Sequence, residues 1–134
     1  EVQGLRPRHV VVNIGTNNLW PSDRARGNTV EEITEGVREV VIRLRARLPD
    51  ANIILMGLFP RGERPDDRSR AKIVEVNARL EALASEGSLT YIDLKNELTA
   101  PDGTISREVM SDFLHPGEKG YAIWGKALKK ATSE

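Results

Sequence analysis

The run His-Val-Val-Val-Asn-Ile at residues 9–14 is the feature that most restricts the fold. Its β-branched residues are consecutive and do not alternate with polar ones. A strand of this kind is typical of a parallel sheet that is covered on both faces. A second apolar run covers residues 52–58, and a short third one covers residues 89–92. The sequence therefore predicts a buried parallel sheet, whose strands need crossover connections between them.

Helical patterns separate these strands. Residues 30–48 and 69–86 carry apolar side chains spaced three and four residues apart. Thr29 and Glu32 have the spacing of a capping box in front of the first helix. A last helix is predicted over residues 117–131, with an inner side marked by Tyr121, Trp124 and Leu128. The alternation of strand and helix predicts one α/β domain over residues 1–134 with right-handed crossovers.

Composition excludes several classes of function. The 134 residues include 20 Lys plus Arg and 20 Asp plus Glu, so no net charge attracts nucleic acid. The chain has no cysteine, which excludes a disulfide, a thiol nucleophile and a cysteine metal site. No apolar run approaches the roughly 20 residues of a membrane span. We therefore expect no nucleic-acid partner and no membrane span, while the cellular compartment stays open.

The first candidate site is the segment Asp-Phe-Leu-His-Pro at residues 112–116. In open parallel sheets, ligands bind beyond the carboxyl ends of the strands, and this segment follows the third strand. Pro116 suits the first turn of the last helix and would place His115 at the mouth of that helix. The Asp112 carboxylate can then orient the imidazole and stabilise its protonated form. Taken alone, an Asp-x-x-His pattern is more often a turn cap beside a surface histidine.

The second candidate site is the turn Gly-Thr-Asn-Asn at residues 15–18, directly after the first strand. Gly15 permits a tight exit from the strand, and the Asn17 amide can donate to a developing oxyanion. An ordinary polar turn is the alternative, since Asn and Gly both favour turns. Leu19, Trp20 and Leu114 are further candidates for lining a pocket with Gly15. His9 is interpreted as a structural residue at the start of the strand.

Together, these segments resemble the SGNH/GDSL hydrolase superfamily. Residues 10–18 resemble its third conserved block, and residues 112–116, followed by Gly120 and Tyr121, resemble its fifth. Residues 57–65 are similar to a stretch of the intracellular platelet-activating-factor acetylhydrolase catalytic subunits, a group within that superfamily. The resemblance covers essentially the whole chain. It implies a three-layer α/β/α, flavodoxin-like fold and ester hydrolysis through an acyl-enzyme, with no metal and no organic cofactor.

The resemblance also implies roles for individual residues and shows that the family's serine block is missing from this chain. It implies that Asn17 is an oxyanion-hole donor, that His115 is the general base and later the general acid, and that Asp112 orients His115. The nucleophilic serine of the family lies in a Gly-Asp-Ser block that this chain lacks, and none of its seven serines is assigned as nucleophile. In the family, two N-terminal strands lie beside the strand at residues 9–14. Without them this strand is an unpaired apolar edge.

We therefore expect the chain to be the larger C-terminal part of a domain, completed by an N-terminal segment or a companion chain. Two functions stay open. The first is a serine esterase that cleaves a small acyl ester, with acetyl among the candidates and a carbohydrate deacetylase as a variant that differs only in substrate. The second is a non-catalytic binding or scaffold module that recruits a partner through the open strand edge. A nucleotide binder is disfavoured because no glycine-rich phosphate loop follows a strand.

Overall fold

The computed structural model describes residues 4–21 and 27–133 and contains a parallel sheet of three strands. The strands are β1 (His9–Val12), β2 (Asn52–Met56) and β3 (Thr90–Ile92), in the order β1-β2-β3. Val10 lies opposite Ile53, and Leu55 lies opposite Tyr91. The carboxyl ends of the strands therefore lie at one edge of the sheet, where the loops that follow them meet.

Within the described residues, four helices accompany the sheet: α1 (Val30–Arg47), α2 (Arg68–Glu86), α3 (Lys95–Leu98) and α4 (Glu118–Thr132). A single 3₁₀ turn, Thr16–Asn18, follows β1. These bounds differ from the sequence prediction by at most two residues at any end. The short helix α3 was not predicted, because four residues are too few for a periodic pattern. The α/β class is confirmed.

Helix α1 begins and ends where local chemistry dictates. The N–H of Glu32 donates to Oγ1 of Thr29 at 3.1 Å, and the N–H of Thr29 donates to Oε2 of Glu32 at 3.0 Å. This confirms the capping box, which satisfies two backbone donors that a helix start leaves open. The helix ends at Arg47, just before Leu48 and Pro49, because a residue that precedes proline is forced out of the helical region.

Side-chain alternation along β2 directs apolar residues to both faces of the sheet. Ile53 and Leu55 pack with α1 and α2, whereas Ile54 and Met56 pack with the segment from α3 to α4. All four side chains are at most 1% exposed. Burying each contributes roughly 1.5–3 kcal/mol, so β2 anchors helices on both sides of the sheet.

Strand β1 departs from the prediction that it is covered on both faces. Val12 is 5% exposed and joins the core formed with α1 and α2, but Val11 is 40% exposed. Among the described residues β1 pairs with β2 alone, so its other side is an open edge. Tyr121, predicted on the inner side of α4, is 57% exposed, so that assignment is wrong. Helix α4 packs against the sheet through Ile123, Trp124, Ala127 and Leu128 instead.

A groove of about 520 Å³ borders this open edge. Its floor is formed by β1 and the two residues that follow it, from Val10 to Ile14. Helices α1 and α4 form its walls, through Val40, Leu44, Trp124 and Leu128. The indole Nε1 of Trp124 is buried and has no hydrogen-bond partner among the described residues. An orphaned buried donor is rare in a finished core, since it costs free energy. In the described part of the chain, no helix combines the length and apolar character needed to cross a membrane.

Candidate active site

The turn between Asp112 and His115 is organised by the aspartate. Oδ2 of Asp112 lies 2.6 Å from Nδ1 of His115, while Oδ1 accepts from the N–H groups of Leu114 at 3.0 Å and His115 at 2.8 Å. Asp112 is therefore both a turn cap and the partner of the imidazole, so the two interpretations of the sequence are compatible. The hydrogen bond from the His115 side chain, with the two backbone bonds, holds the pKa of Asp112 far below its usual range.

The imidazole of His115 is oriented but open. A hydrogen bond from Nδ1 to a carboxylate places the proton on Nδ1 and leaves Nε2 as an acceptor. Nε2 has no hydrogen bond to any described residue, and the side chain is 75% exposed. A neutral imidazole in this state accepts a proton from a hydroxyl group that approaches Nε2. The geometry is that of a general base whose carboxylate partner is already in place.

Phe113, between these two residues, has a strained backbone with a φ of 57°. A bulky side chain in the left-handed region costs roughly 1–2 kcal/mol. Three contacts hold Phe113 in this conformation. Its carbonyl accepts from the N–H of Gly62 at 2.9 Å, and its N–H donates to the carbonyl of Met110 at 3.1 Å. The guanidinium of Arg107 lies 4.7 Å from the centroid of the Phe113 ring. Such strain concentrates at functional sites. Nothing in the local sequence predicted it.

The sequence predicted Pro116 in the first turn of the last helix, but the structure places it before that helix. Helix α4 begins at Glu118, with Gly117 as its N-cap. The N–H of Gly117 donates to the carbonyl of Val109 at 2.8 Å, so this helix-start donor has a partner outside the helix. His115 therefore lies in a turn before the helix, where Asp112 rather than the helix fixes its position.

The turn after β1 presents one free amide. Asn17 is exposed, and its side chain forms no hydrogen bond with any described residue. The neighbouring Asn18 is committed, because its Nδ2 donates to Oδ1 of Asn28 at 3.0 Å. Gly15 makes the turn possible with a φ of 117°, and a Cβ there would lie 3.2 Å from Cδ2 of Leu58. Of the two adjacent asparagines, Asn17 alone is free to donate to a ligand.

The loop after β2 contacts both turns. Nη1 of Arg61 donates to the carbonyl of Thr16 at 3.2 Å and to its hydroxyl at 3.4 Å. The N–H of Gly62, the next residue, donates to the carbonyl of Phe113 at 2.9 Å. The consecutive residues Arg61 and Gly62 thus bond to Thr16, beside Asn17, and to the turn that carries His115. The structure therefore brings the two sequence motifs to the same edge of the sheet.

The predicted pocket residues differ in their surroundings. Leu19 is 1% exposed and packs in the core with α1 and α2, so it presents no surface to a ligand here. Trp20 is half-buried, with the Arg68 guanidinium 4.6 Å and the Lys72 ammonium 4.8 Å from its ring centroid. Leu114 and Gly15 are half-buried within the two turns. His9 contacts the Asn52 side chain at 3.3 Å, away from the loops at the carboxyl ends of the strands.

A cleft of about 680 Å³ lies between α2 and the segment that follows β3. Its lining includes Arg70, Ile73, Asn77 and Tyr91 but none of the residues Asn17, Asp112 and His115. Burial, aided by the nearby carboxylates Asp93 and Glu81, raises the pKa of Tyr91, so its hydroxyl stays protonated. That hydroxyl donates to the Asn77 carbonyl at 3.2 Å. The cleft is thus separate from the candidate active site.

Residues 4–21 and 27–133 contain no group of three or more His, Cys, Asp or Glu side chains placed to hold a metal ion. The candidate active site has an oriented base at Nε2 of His115 and a free amide at Asn17, but no described serine hydroxyl is hydrogen-bonded to that base.

Comparison with known proteins gives a consistent assignment. The family model described as GDSL-like lipase/acylhydrolase matches residues 1–123. Platelet-activating factor acetylhydrolase IB subunit alpha1 of Homo sapiens is 36% identical over 129 residues, which are 96% of this chain and 52% of that protein. Subunit alpha2 of Rattus norvegicus is 37% identical over 96% of this chain and 53% of its own length. The chain thus spans about half the length of the curated relatives it matches.

Solved structures show the same fold. An acetyl-xylooligosaccharide esterase variant from Geobacillus matches with a TM-score of 0.78 and 21% identity, over 96% of this chain and 61% of that one. A GDSL-like lipase from Bacteroides thetaiotaomicron matches with a TM-score of 0.76 and 23% identity, over 93% and 62% of the two chains. At these identities the matches establish the fold alone.

Proposed function

The chain belongs to the GDSL-like lipase/acylhydrolase family, and we propose that it provides the acid–base part of a serine ester hydrolase. The observation that carries the proposal is the 2.6 Å contact between Oδ2 of Asp112 and Nδ1 of an otherwise open His115. A turn cap needs the backbone bonds of Asp112 alone. The additional bond to the imidazole serves the orientation of a base.

In the proposed reaction, Nε2 of His115 removes the proton of a serine hydroxyl while Oγ bonds to the ester carbonyl carbon. The carbonyl electron pair moves onto oxygen, where Nδ2 of Asn17 donates a hydrogen bond to the new oxyanion. Collapse breaks the bond to the leaving alcohol, which takes the proton from His115. Water then attacks the acyl-enzyme by the same steps and releases the acid. Asp112 stays ionised throughout and stabilises the imidazolium.

The proposed substrate is an ester of a small acyl group, with acetyl as the first candidate. Relatives at 36–37% identity are named acetylhydrolases, and a solved structure of the same fold is an acetyl-xylooligosaccharide esterase. These names agree on the acyl group and differ on the alcohol. We therefore assign the acyl group and leave lipid, sugar and small alcohols as substrates to be compared in one assay.

We further propose that a segment outside this chain supplies the nucleophilic serine and completes a flavodoxin-like, three-layer sheet along β1. The groove beside β1 supports this, since it is apolar and its floor is an unpaired strand edge. The orphaned Nε1 of Trp124 also lacks an acceptor that such a segment would bring. The segment is either upstream in the same polypeptide or a companion chain.

The exposed edge of β1 favours a second candidate, a scaffold module that binds a partner by strand addition. Val11 in β1 is 40% exposed, which is unusual for a β-branched side chain in a parallel sheet. Ile14, two residues after the strand, is 42% exposed. Both candidates need an occupant for the groove. They differ in whether the occupant brings a serine to Nε2 of His115.

Hydrolysis of p-nitrophenyl acetate by the complete protein tests the proposal. His115→Ala is expected to lower kcat by about 1,000-fold or more, because the base and its proton shuttle are both lost. His9→Ala removes the other histidine, which contacts Asn52 instead, and is expected to retain turnover. Equal turnover of the wild-type protein and His115→Ala would exclude the esterase mechanism, and no turnover by the wild-type protein would favour the scaffold.

A further inference from the structure

We propose that Arg70, which lies on α2 outside both turns, is a positioning residue that couples the Asn17 turn to the His115 turn. This inference rests on the proposed function for its kinetic consequence. Its structural part stands separately, because it concerns contacts between protein groups. Arg70 contacts neither turn itself and acts through the loop after β2.

The guanidinium of Arg70 holds two successive carbonyl groups. Its Nε donates to the carbonyl of Arg61 at 2.9 Å, and its Nη2 donates to the carbonyl of Gly62 at 3.0 Å. The residue is 9% exposed. Two donors fixed in one plane match two adjacent carbonyls, a geometry that a lysine ammonium does not reproduce.

The same two residues carry the links to the site. The side chain of Arg61 bonds to Thr16, and the N–H of Gly62 bonds to Phe113. Arg70 therefore fixes the peptide groups from which both links extend. A shift of residues 61 and 62 moves the oxyanion donor and the base relative to each other. Displacements of about 1 Å in such constellations lower rates by about 100-fold.

Electrostatics distinguishes this arginine from an ordinary structural ion pair. Arg70 forms no ion pair with a carboxylate of any described residue, and its partners are neutral carbonyls. The nearest acidic side chain on the same helix start, Asp67, is bonded to the N–H and hydroxyl of Ser69. The Asp67 carboxylate still attracts the Arg70 guanidinium, although the two form no direct ion pair. The two hydrogen bonds to carbonyl groups offset part of the cost of burying the cation and fix the loop.

The cleft beside α2 makes this inference testable by chemical rescue. Arg70 lines the cleft of about 680 Å³, and its Nη1 has no hydrogen-bond partner among the described residues. Replacement by alanine opens a space that connects to the cleft. A guanidinium ion is small enough to enter from solvent and bond to the same carbonyls. A buried site closed to solvent would not admit the guanidinium ion.

The experiment measures kcat and KM for p-nitrophenyl acetate with the complete protein. For Arg70→Ala we expect kcat to fall by about 10- to 100-fold with KM within about twofold, since the acyl group is bound but misaligned. Guanidinium chloride at millimolar concentration, well below denaturing levels, is expected to restore at least part of kcat. Arg70→Lys keeps the charge but not the planar pair of donors, so its kcat is expected to lie between those of wild type and Arg70→Ala. Arg79→Ala is the matched control, because Arg79 lies on the same helix and pairs with Glu31 at the surface.

A second readout does not depend on activity. We expect the backbone amide resonances of residues 16–18 and 112–115 to shift together in Arg70→Lys and to stay in place in Arg79→Ala. If Arg70→Ala does not fold, Arg70→Lys decides the question in both readouts. An unchanged kcat together with unshifted amides in Arg70→Lys would overturn the coupling. If the wild-type protein has no esterase activity, the proposed function fails, and the joint amide shifts still decide the positioning role.

Discussion

Gly62 donates its backbone N–H to the carbonyl of Phe113 at 2.9 Å, and this bond joins the loop after β2 to the turn that carries His115. Both ends of the bond have unusual backbone geometry. Gly62 has a φ of 82° and Phe113 has a φ of 57°. Glycine adopts this region readily, whereas phenylalanine is strained in it. The contact therefore holds the active-site turn in a conformation that its own sequence disfavours.

Gly62→Ala is expected to destabilise the protein by about 2 kcal/mol or more, because the left-handed backbone is strained and the new Cβ meets the Asp67 carboxylate. Urea unfolding measures the change. Gly36→Ala is the control within helix α1, where a Cβ meets no atom within 4 Å, and it is expected to stabilise by about 0.5–1 kcal/mol. An unchanged free energy of unfolding in Gly62→Ala would show that the loop accommodates the new side chain without cost.

Asn17→Ala is expected to lower kcat for ester hydrolysis by about 100- to 1,000-fold, because one oxyanion donor is lost. Its unfolding free energy is expected to stay within about 0.5 kcal/mol of wild type, since the exposed side chain bonds to no described residue. Asn18→Ala loses the bond to Asn28 and is expected to show the opposite pattern, with about 1 kcal/mol less stability and a nearly unchanged kcat. Parallel kinetic and unfolding measurements on both variants separate the roles, and a larger kcat loss in Asn18→Ala would reverse them.

Asp112→Asn is expected to lower kcat by about 10,000-fold while the turn stays folded, because an amide oxygen still caps the backbone but no longer stabilises the imidazolium. Asp102→Asn is the matched control. Asp102 likewise accepts from a backbone N–H and a side chain two residues on, at Thr104, and it lies outside the site. Steady-state kinetics compares the two, and equal activities would remove Asp112 from the mechanism.

The lowered pKa of Asp112 also predicts a pH dependence of stability. The His115 side chain and two backbone N–H groups favour the charged carboxylate in the folded state. The stabilisation is therefore fully present above the usual aspartate pKa of about 3.9 and is lost as the pH falls through the lower folded value. The difference in urea midpoint between wild type and Asp112→Asn is expected to shrink as the pH falls below 4. A difference that grows as the pH falls below 4 would contradict this direction.

The sequence predicted correctly those features that depend on residues a few positions apart. Thr29 and Glu32 identified the start of α1, and Asp112 with His115 identified a turn in which both residues are hydrogen-bonded to each other. The apolar run of β2 identified a strand buried on both faces.

Features that depend on distant partners were missed or misassigned. Leu19 was predicted to line a pocket, but it is 1% exposed and packs in the core. The Lys72 ammonium, 53 residues later, donates to its carbonyl at 2.6 Å. Arg70 fell within the predicted helix over residues 69–86 and was given no role, since a pattern of side chains does not show its carbonyl partners at residues 61 and 62. The strain at Phe113 depends on Gly62, which lies 51 residues earlier.

The central claim is that Asn17 and His115 act on one reacting carbonyl, and a structure of a covalent adduct tests it most directly. The complete protein is treated with diethyl p-nitrophenyl phosphate, which leaves a tetrahedral phosphoryl group on a nucleophilic serine, and the adduct is crystallised. We expect Nδ2 of Asn17 to lie within about 3.2 Å of a phosphoryl oxygen and Nε2 of His115 to lie within about 3.2 Å of the serine Oγ. An adduct in which either atom lies more than about 6 Å from the tetrahedral group, well beyond hydrogen-bond reach, would contradict the central claim.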